Sequence, residues 1–179
     1  LGAAKLALDQ SRSSGRGGIL LYIPALRAEA VARRMYDAEL HRAFERNEFD
    51  LFYQPQVRMR DGAMIGAEAL IRWRHPDRGL LAPAAFLPSL ENSVLAAPVS
   101  EWVLNTACAQ AAQWRTVNPA FQIAVNLTSA QFRSGDLART VLDALAARDL
   151  PPHALELEIT ENIILNQQDN VLDQLHELR

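Results

Sequence analysis

The chain has 179 residues, of which 49% are hydrophobic and 22% are charged, and its formal net charge is -3. This balance is typical of an ordinary globular protein and excludes a disordered or fibrous chain. Binding to nucleic acid relies on a concentrated positive field, so we expect no nucleic-acid polymer as a partner.

Cys108 is the single cysteine, which excludes an intrachain disulfide and a cysteine-rich zinc site. Helical spacing relates it to Leu104 and Ala111, and we therefore predict a buried packing residue rather than a nucleophile. This cysteine usage fits a reducing, cytoplasmic setting. No apolar run approaches the roughly 20 residues of a membrane span, although a longer parent protein could carry a membrane anchor upstream.

The chain begins with elements that are too few to close a core of their own. Residues 1–27 contain a helical pattern, "AAKLALDQSR", a turn, "SSGRGG", and a strand pattern, "ILLYIP". We interpret them as the remnant of a preceding domain. Residues 28–47 are predicted to form a linker helix, because Tyr36, Leu40 and Phe44 make one apolar stripe among charged residues.

Strand patterns alternate with helix patterns from Phe49 onward. The strands "FDLFYQPQV" and "AMIGAEALIRW" flank a hairpin turn at Asp61 and Gly62. A helix with Ser100 as N-cap, the strand "FQIAVNL", a helix stopped by Pro151, the strand "ALELEIT" and a final helix follow. This order predicts an α/β fold with a parallel sheet and helical crossovers. A complete (β/α)₈ barrel takes about 250 residues, so we expect only about half of one.

Three of the predicted strands have an apolar face and an opposite face with oxygen-bearing side chains. Because side chains alternate along a strand, Glu68, Asn126 and Glu158 each oppose an apolar set. All three are predicted near the carboxyl ends of their strands, where α/β enzymes build their sites. Two carboxylates and an amide carbonyl suit Mg²⁺ or Mn²⁺ better than Zn²⁺. The alternative is that each is simply a polar residue at a strand end.

A group of cationic residues follows Glu68. Arg72 has the parity of Glu68 and could hold a phosphate above a metal. Arg74, His75 and Arg78 precede or flank proline and glycine, and we predict that they form a solvated turn.

These segments resemble the EAL domain, the family of cyclic di-GMP phosphodiesterases. The motifs that carry the resemblance arrive in the family's order across residues 48–179: "FDLFYQPQV", "GAEALIRWRHP", "GLLAPAAFLP", "WVLNTACAQAAQW", "AVNLTSAQF" and "LELEITEN". In addition, "ALDQSRSSGRGG" resembles the closing helix of a GGDEF (diguanylate cyclase) domain. The resemblance implies a TIM-like (β/α) barrel of the EAL type, with its N-terminal half in this chain.

The resemblance also implies roles for particular residues. Glu68, Asn126 and Glu158 match metal ligands for Mg²⁺ or Mn²⁺, and Glu161 matches a residue that supports a catalytic loop. Glu68 and Glu161 are thus the expected catalytic residues. Two further residues match positions that contact the dinucleotide: Gln54 and Arg72.

The implied reaction is hydrolysis of cyclic di-GMP to linear pGpG by a two-metal mechanism. The implied partners are cyclic di-GMP, a second copy of the EAL domain in a homodimer, and an adjacent GGDEF domain. The family's paired aspartates, lysine and further glutamate would follow Arg179, so the chain alone is predicted to be inactive. Two alternatives stay open: a receptor that binds cyclic di-GMP without cleaving it, and a structural or dimerisation fragment.

Overall fold

A computed structural model describes residues 24–159, 163 and 171–178. The chain divides into two compact units, Leu1–Arg42 and Ala43–Arg179. Helix α1, Pro24–Glu45, starts and ends slightly before the predicted linker helix at 28–47. The helix, turn and strand predicted before Pro24 lie outside the described residues, and the predicted domain boundaries stay a prediction. Among the described helices, none is both long enough and apolar enough to cross a membrane.

The second unit alternates strands and helices, as the sequence predicts. Its elements in chain order are β1 Phe49–Val57, β2 Met64–His75, β3 Gly79–Leu81, α2 Leu87–Glu91, α3 Ala96–Arg115, β4 Gln122–Asn126, α4 Ser129–Ser134, α5 Leu137–Ala146, β5 Leu155–Glu158 and α6 Val171–Glu177. Single 3₁₀ turns at Pro83–Ala85 and Pro152–Ala154 precede α2 and β5.

The strands form one sheet in the order β1-β2-β4-β5, with β3 pairing to β2. β1 and β3 run antiparallel to β2, whereas β2, β4 and β5 are mutually parallel. Helices lie in the crossovers between the parallel strands, because parallel neighbours need a long connection. The predicted α/β class with a parallel sheet is therefore confirmed.

One face of the sheet is buried and the other is mostly half-buried or exposed, as the alternation of side chains predicts. On β2 the buried side chains of this face are Ala67, Ala69, Ile71, Trp73 and His75. Trp73 is completely buried, and its ring centroid lies 5.8 Å from that of Phe49. Its Nε1 donates a hydrogen bond to Oε2 of Glu48 at 3.1 Å, which satisfies the one polar atom of the ring. The opposite face, which carries Glu68, is called the polar face below.

Gly66 sets the contact between β2 and β4. It pairs with Gln122, and a Cβ atom at this position would lie 2.6 Å from the Gln122 carbonyl oxygen. Any side chain here would collide with the backbone of the neighbouring strand. The glycine therefore lets the two strands that carry Glu68 and Asn126 approach closely.

Two helix boundaries differ from the predictions. Helix α3 begins at Ala96, so Ser100 is not its N-cap; the Ser100 hydroxyl donates to the Ala96 carbonyl at 2.7 Å instead. Pro98 is tolerated because it lies in the first turn, where backbone N–H groups lack helical partners. Helix α5 ends at Ala146, ahead of Pro151, which is predicted to stop it. The chain then turns through Asp149, whose φ is 51°.

The predicted solvated turn after Arg72 is wrong at two of its three residues. Strand β2 continues through Arg74 and His75, and the turn itself is confined to residues 76–78. His75 is only 5% exposed, and its Nδ1 accepts hydrogen bonds from the backbone N–H groups of Asp77 and Arg78, both at 3.1 Å. The imidazole therefore organises the turn from inside the fold.

Candidate functional site

The polar face brings together the three residues predicted to bind metal. In the strand register, Glu68 lies opposite Ala124 of β4, and Asn126 lies opposite Glu158 of β5. Asn126 Nδ2 donates a hydrogen bond to Glu68 Oε1 at 2.7 Å. Three adjacent parallel strands thus each contribute one oxygen-bearing side chain to the same region.

Their places along the strands agree with the prediction in two cases. Asn126 and Glu158 are the last residues of β4 and β5. Glu68, in contrast, lies in the first half of β2, so its predicted position near a strand end is wrong. The reason is that β2 pairs with β4 only as far as Ala69 and then continues to His75 alongside β1 and β3. Glu68 is therefore close to the end of the parallel pairing rather than the end of the strand.

The electrostatics of this cluster favour a cation. The pKa of Glu158 is raised above its ordinary value, first by partial burial and then by the charges of Glu68 and Glu156. Asn126 donates its Nδ2–H to Glu68, and this leaves the side-chain carbonyl oxygen of Asn126 available to another partner. Two carboxylates and one amide oxygen fit a hard divalent cation. Among the described residues, no group of three or more His, Cys, Asp and Glu side chains could hold a metal, and the candidate set has two carboxylates together with the amide of Asn126.

The predicted substrate contacts share the polar face. Gln54 lies directly opposite Glu68 on β1 and is exposed. Arg72 lies farther along β2, opposite Asp50. Its Nη1 donates to the Ile71 carbonyl at 2.9 Å, and it forms no ion pair among the described residues. Glu161 lies outside the described residues, so its predicted role stays a prediction.

A buried network that the sequence analysis missed lies just after Asn126. The Gln131 side chain is 6% exposed, and its Oε1 accepts hydrogen bonds from the Thr128 backbone N–H at 2.9 Å and the Thr128 hydroxyl at 3.2 Å. The hydroxyls of Ser100 and Thr128 are 3.0 Å apart. The signal in the sequence is the capping box "TSAQ", a hydroxyl residue followed three positions later by glutamine. This network fixes the start of α4 and, with it, the exit of β4.

A cavity of about 500 Å³ opens beside this network. Its lining includes the polar residues Asn126 and Thr128 and the apolar residues Leu70, Leu90 and Val99. An apolar cavity with a few convergent polar groups is the usual form of a small-molecule site. The candidate metal ligand Asn126 therefore borders a space that could admit part of a ligand.

Cys108 takes no part in the site. It is completely buried in α3, as predicted, and burial raises the pKa of its thiol to about 11. A thiol with such a pKa stays protonated near neutral pH and is a poor nucleophile.

Comparison with known proteins identifies the family. The EAL domain family matches residues 37–179. The chain belongs to the EAL domain family. Protein sll1895 of Synechocystis, whose name describes it as uncharacterized, is 41% identical over 161 residues, which is 89% of this chain and 23% of that protein. The bifunctional diguanylate cyclase/cyclic di-GMP phosphodiesterase MucR of Pseudomonas aeruginosa is 38% identical over 176 residues, 98% of this chain and 26% of MucR.

Solved EAL domain structures share the fold. The structure described as the PaMucR phosphodiesterase in complex with c-di-GMP superposes with a TM-score of 0.75 at 40% identity, over 80% of this chain and 59% of that one. The predicted fold, part of a TIM-like barrel of the EAL type, agrees with this match. The chain spans about a quarter of the length of the curated relatives described above.

Proposed function

We propose that this EAL domain binds cyclic di-GMP and that the protein containing it hydrolyses this dinucleotide to linear pGpG. The observation that carries the proposal is that Glu68, Asn126 and Glu158 lie on one face of the sheet, with a hydrogen bond from Asn126 to Glu68. The names of MucR and of its solved c-di-GMP complex support the choice of substrate.

The reaction adds one water molecule to a phosphodiester. An oxygen of water bonds to phosphorus, the bond from phosphorus to the ribose 3′ oxygen breaks, and that oxygen takes a proton. The products are a 5′ phosphate and a free 3′ hydroxyl in one linear molecule. Each phosphodiester carries a negative charge that increases in the transition state, so the site must supply positive charge.

Glu68, Asn126 and Glu158 would hold Mg²⁺ or Mn²⁺ for this purpose. Divalent ions of this kind, when bound, neutralise charge on the phosphoryl group and lower the pKa of water. The carboxylates of Glu68 and Glu158 would supply the charge that retains the cation. Burial first, and then the charges of Glu68 and Glu156, raise the pKa of Glu158, and a bound cation would offset the repulsion between these carboxylates. The Nδ2 bond to Glu68 keeps the carbonyl oxygen of Asn126 turned away from Glu68.

Two further residues on the polar face would orient the substrate. Arg72 presents a planar guanidinium that matches the geometry of a phosphate. Gln54, opposite Glu68, offers an amide that can both donate and accept hydrogen bonds. Glu161 belongs to the proposal as a support for a catalytic loop, on the basis of the resemblance alone.

The assembly around the domain is part of the same proposal. An adjacent GGDEF domain is supported by MucR, whose name includes a diguanylate cyclase. A homodimer formed through the EAL domain rests on the resemblance. The predicted inactivity of the 179-residue chain by itself stays a prediction.

Product analysis tests the proposed reaction. The chain and the natural gene product that contains it are each incubated with cyclic di-GMP and Mg²⁺, and the nucleotides are separated by chromatography. We expect pGpG from the gene product, and no pGpG after Glu68→Ala. Glu101→Ala, which removes an exposed carboxylate on α3, serves as the control and should leave turnover unchanged. Binding of cyclic di-GMP without any pGpG would instead support the receptor function.

A further inference from the structure

Two arginines share one aromatic ring on the polar face. The Cζ atoms of Arg72 and Arg74 both lie 5.7 Å from the centroid of the Phe52 ring. Phe52 is on β1, and the two arginines follow one another on the same face of β2. Guanidinium groups at this distance are attracted to the face of an aromatic ring, and the attraction limits the positions that they adopt.

The two arginines differ in their anionic partner. Arg74 donates from Nε to Asp50 Oδ2 at 2.9 Å and from Nη2 to the same oxygen. The other oxygen of Asp50 accepts a hydrogen bond from the Leu51 backbone N–H at 2.9 Å. Both carboxylate oxygens of Asp50 are therefore engaged, and its charge is balanced by Arg74.

From the strand register alone, Arg72 is the expected ion-pair partner of Asp50. It lies directly opposite Asp50 on the neighbouring strand, where oppositely charged side chains attract each other. Yet its one hydrogen bond within the described residues runs from Nη1 to the Ile71 carbonyl. Most N–H groups of its guanidinium thus remain available to an anion.

We propose that Arg74, Asp50 and Phe52 are positioning residues that keep Arg72 available to a phosphate group of the bound nucleotide. Because Arg74 forms an ion pair with Asp50, that carboxylate does not pair with Arg72. The Phe52 ring, whose centroid lies 5.7 Å from the Arg72 Cζ atom, limits the positions of that guanidinium. This inference rests on the proposed function, because it assigns the phosphate contact to the same site.

A double-variant experiment separates positioning from direct contact. Binding of cyclic di-GMP to the chain is measured by calorimetry in EDTA, so that hydrolysis does not occur. Arg74→Gln leaves Asp50 free to bind Arg72, and we expect affinity to fall about threefold to fivefold. Adding Asp50→Asn to Arg74→Gln removes the competing carboxylate and should restore affinity to within about twofold of the wild type. If the double variant stays as weak as Arg74→Gln, Arg74 itself contacts the ligand and the inference is wrong.

The dependence on Arg72 gives a second criterion. Arg72→Gln should weaken binding about tenfold or more, and Arg74→Gln should have no further effect in that background. An equal effect of Arg74→Gln with and without Arg72 would contradict the inference. Thermal melting of each variant verifies that it is folded.

Phe52 is tested by a matched pair of substitutions. Phe52→Tyr keeps the ring and should bind like the wild type, whereas Phe52→Leu should weaken binding about twofold to fivefold. In the active gene product, Phe52→Leu and Arg74→Gln should raise KM and leave kcat within about twofold, which a general structural defect would not do. Equal KM values for Phe52→Leu and Phe52→Tyr would refute the role of the ring.

Absence of cyclic di-GMP binding by the wild type would overturn the proposed function itself, whereas binding that Arg74→Gln leaves unchanged would overturn the positioning role alone.

Discussion

Asn126 donates a hydrogen bond from Nδ2 to Oε1 of Glu68 at 2.7 Å, across two parallel strands whose register places Glu68 opposite Ala124. The bond explains why an amide suits this position. An aspartate would keep an oxygen ligand but lose the donor to Glu68, and it would place a third carboxylate beside Glu68 and Glu158. The asparagine thus limits the repulsion in the cation-free protein while still offering one oxygen to a cation.

Asn126→Asp should therefore destabilise the cation-free protein. We expect the free energy of unfolding to fall by about 0.5–1 kcal/mol, because a hydrogen bond to a charged group is lost and like charges are brought together at a position that water screens. Urea denaturation in EDTA measures the effect. Asn105→Asp is the control: Asn105 also donates an exposed amide hydrogen bond, but to the backbone carbonyl of Glu101 within α3 rather than to a carboxylate. Equal losses of stability in the two variants would show that the pairing with Glu68 has no special effect.

The network at the start of α4 should contribute measurably to stability. Gln131→Ala removes the acceptor that binds the Thr128 backbone N–H and hydroxyl, and we expect a loss of about 1–2 kcal/mol in the free energy of unfolding. Gln113→Ala, at an exposed position of α3, should cost less than about 0.5 kcal/mol. Denaturant titration of both variants checks the difference. A Gln131→Ala protein as stable as the wild type would mean that the capping box is dispensable.

The Cys108 thiol should be unreactive in the folded protein. Because burial raises its pKa to about 11, little thiolate forms between pH 7 and 9, and access is also blocked. Ellman's reagent should label it slowly in buffer and rapidly in urea. The raised pKa also makes the free energy of unfolding depend on pH. The contribution of the protonated thiol to stability is complete below the pKa of the unfolded thiol and is lost as pH rises toward 11. Rapid labelling in buffer at pH 8 would contradict the buried position.

The alternation of side chains made the two faces of the sheet predictable. Trp73 and Glu68 differ by an odd number of positions, and one is buried while the other lies on the polar face. Local patterns of this kind follow from the geometry of a single strand. They also group Asn126 and Glu158 with Glu68 without reference to any contact between strands.

Features that depend on pairing between distant strands were not predictable in the same way. The sequence did not show that β2 continues past Arg72, because its far end is held by β3 and by the buried His75. Nor did it show that Gly66 packs against the Gln122 carbonyl. These contacts join residues far apart in the chain. The capping box after Asn126 is different, since its signal, Thr128 followed three positions later by Gln131, is local.

The most direct test of the metal site compares two glutamates that share β5 and the polar face. Glu158 lies opposite Asn126, whereas Glu156 lies opposite Ala124, two residues earlier. Mn²⁺ binding to the chain is measured by electron paramagnetic resonance for Glu158→Gln and for the matched Glu156→Gln. We predict that Glu158→Gln lowers the affinity about tenfold or more, because a charged ligand is lost, and that Glu156→Gln lowers it less than about threefold. Unchanged Mn²⁺ binding in Glu158→Gln, or equal losses in both variants, would contradict the assignment of Glu68, Asn126 and Glu158 as the metal ligands.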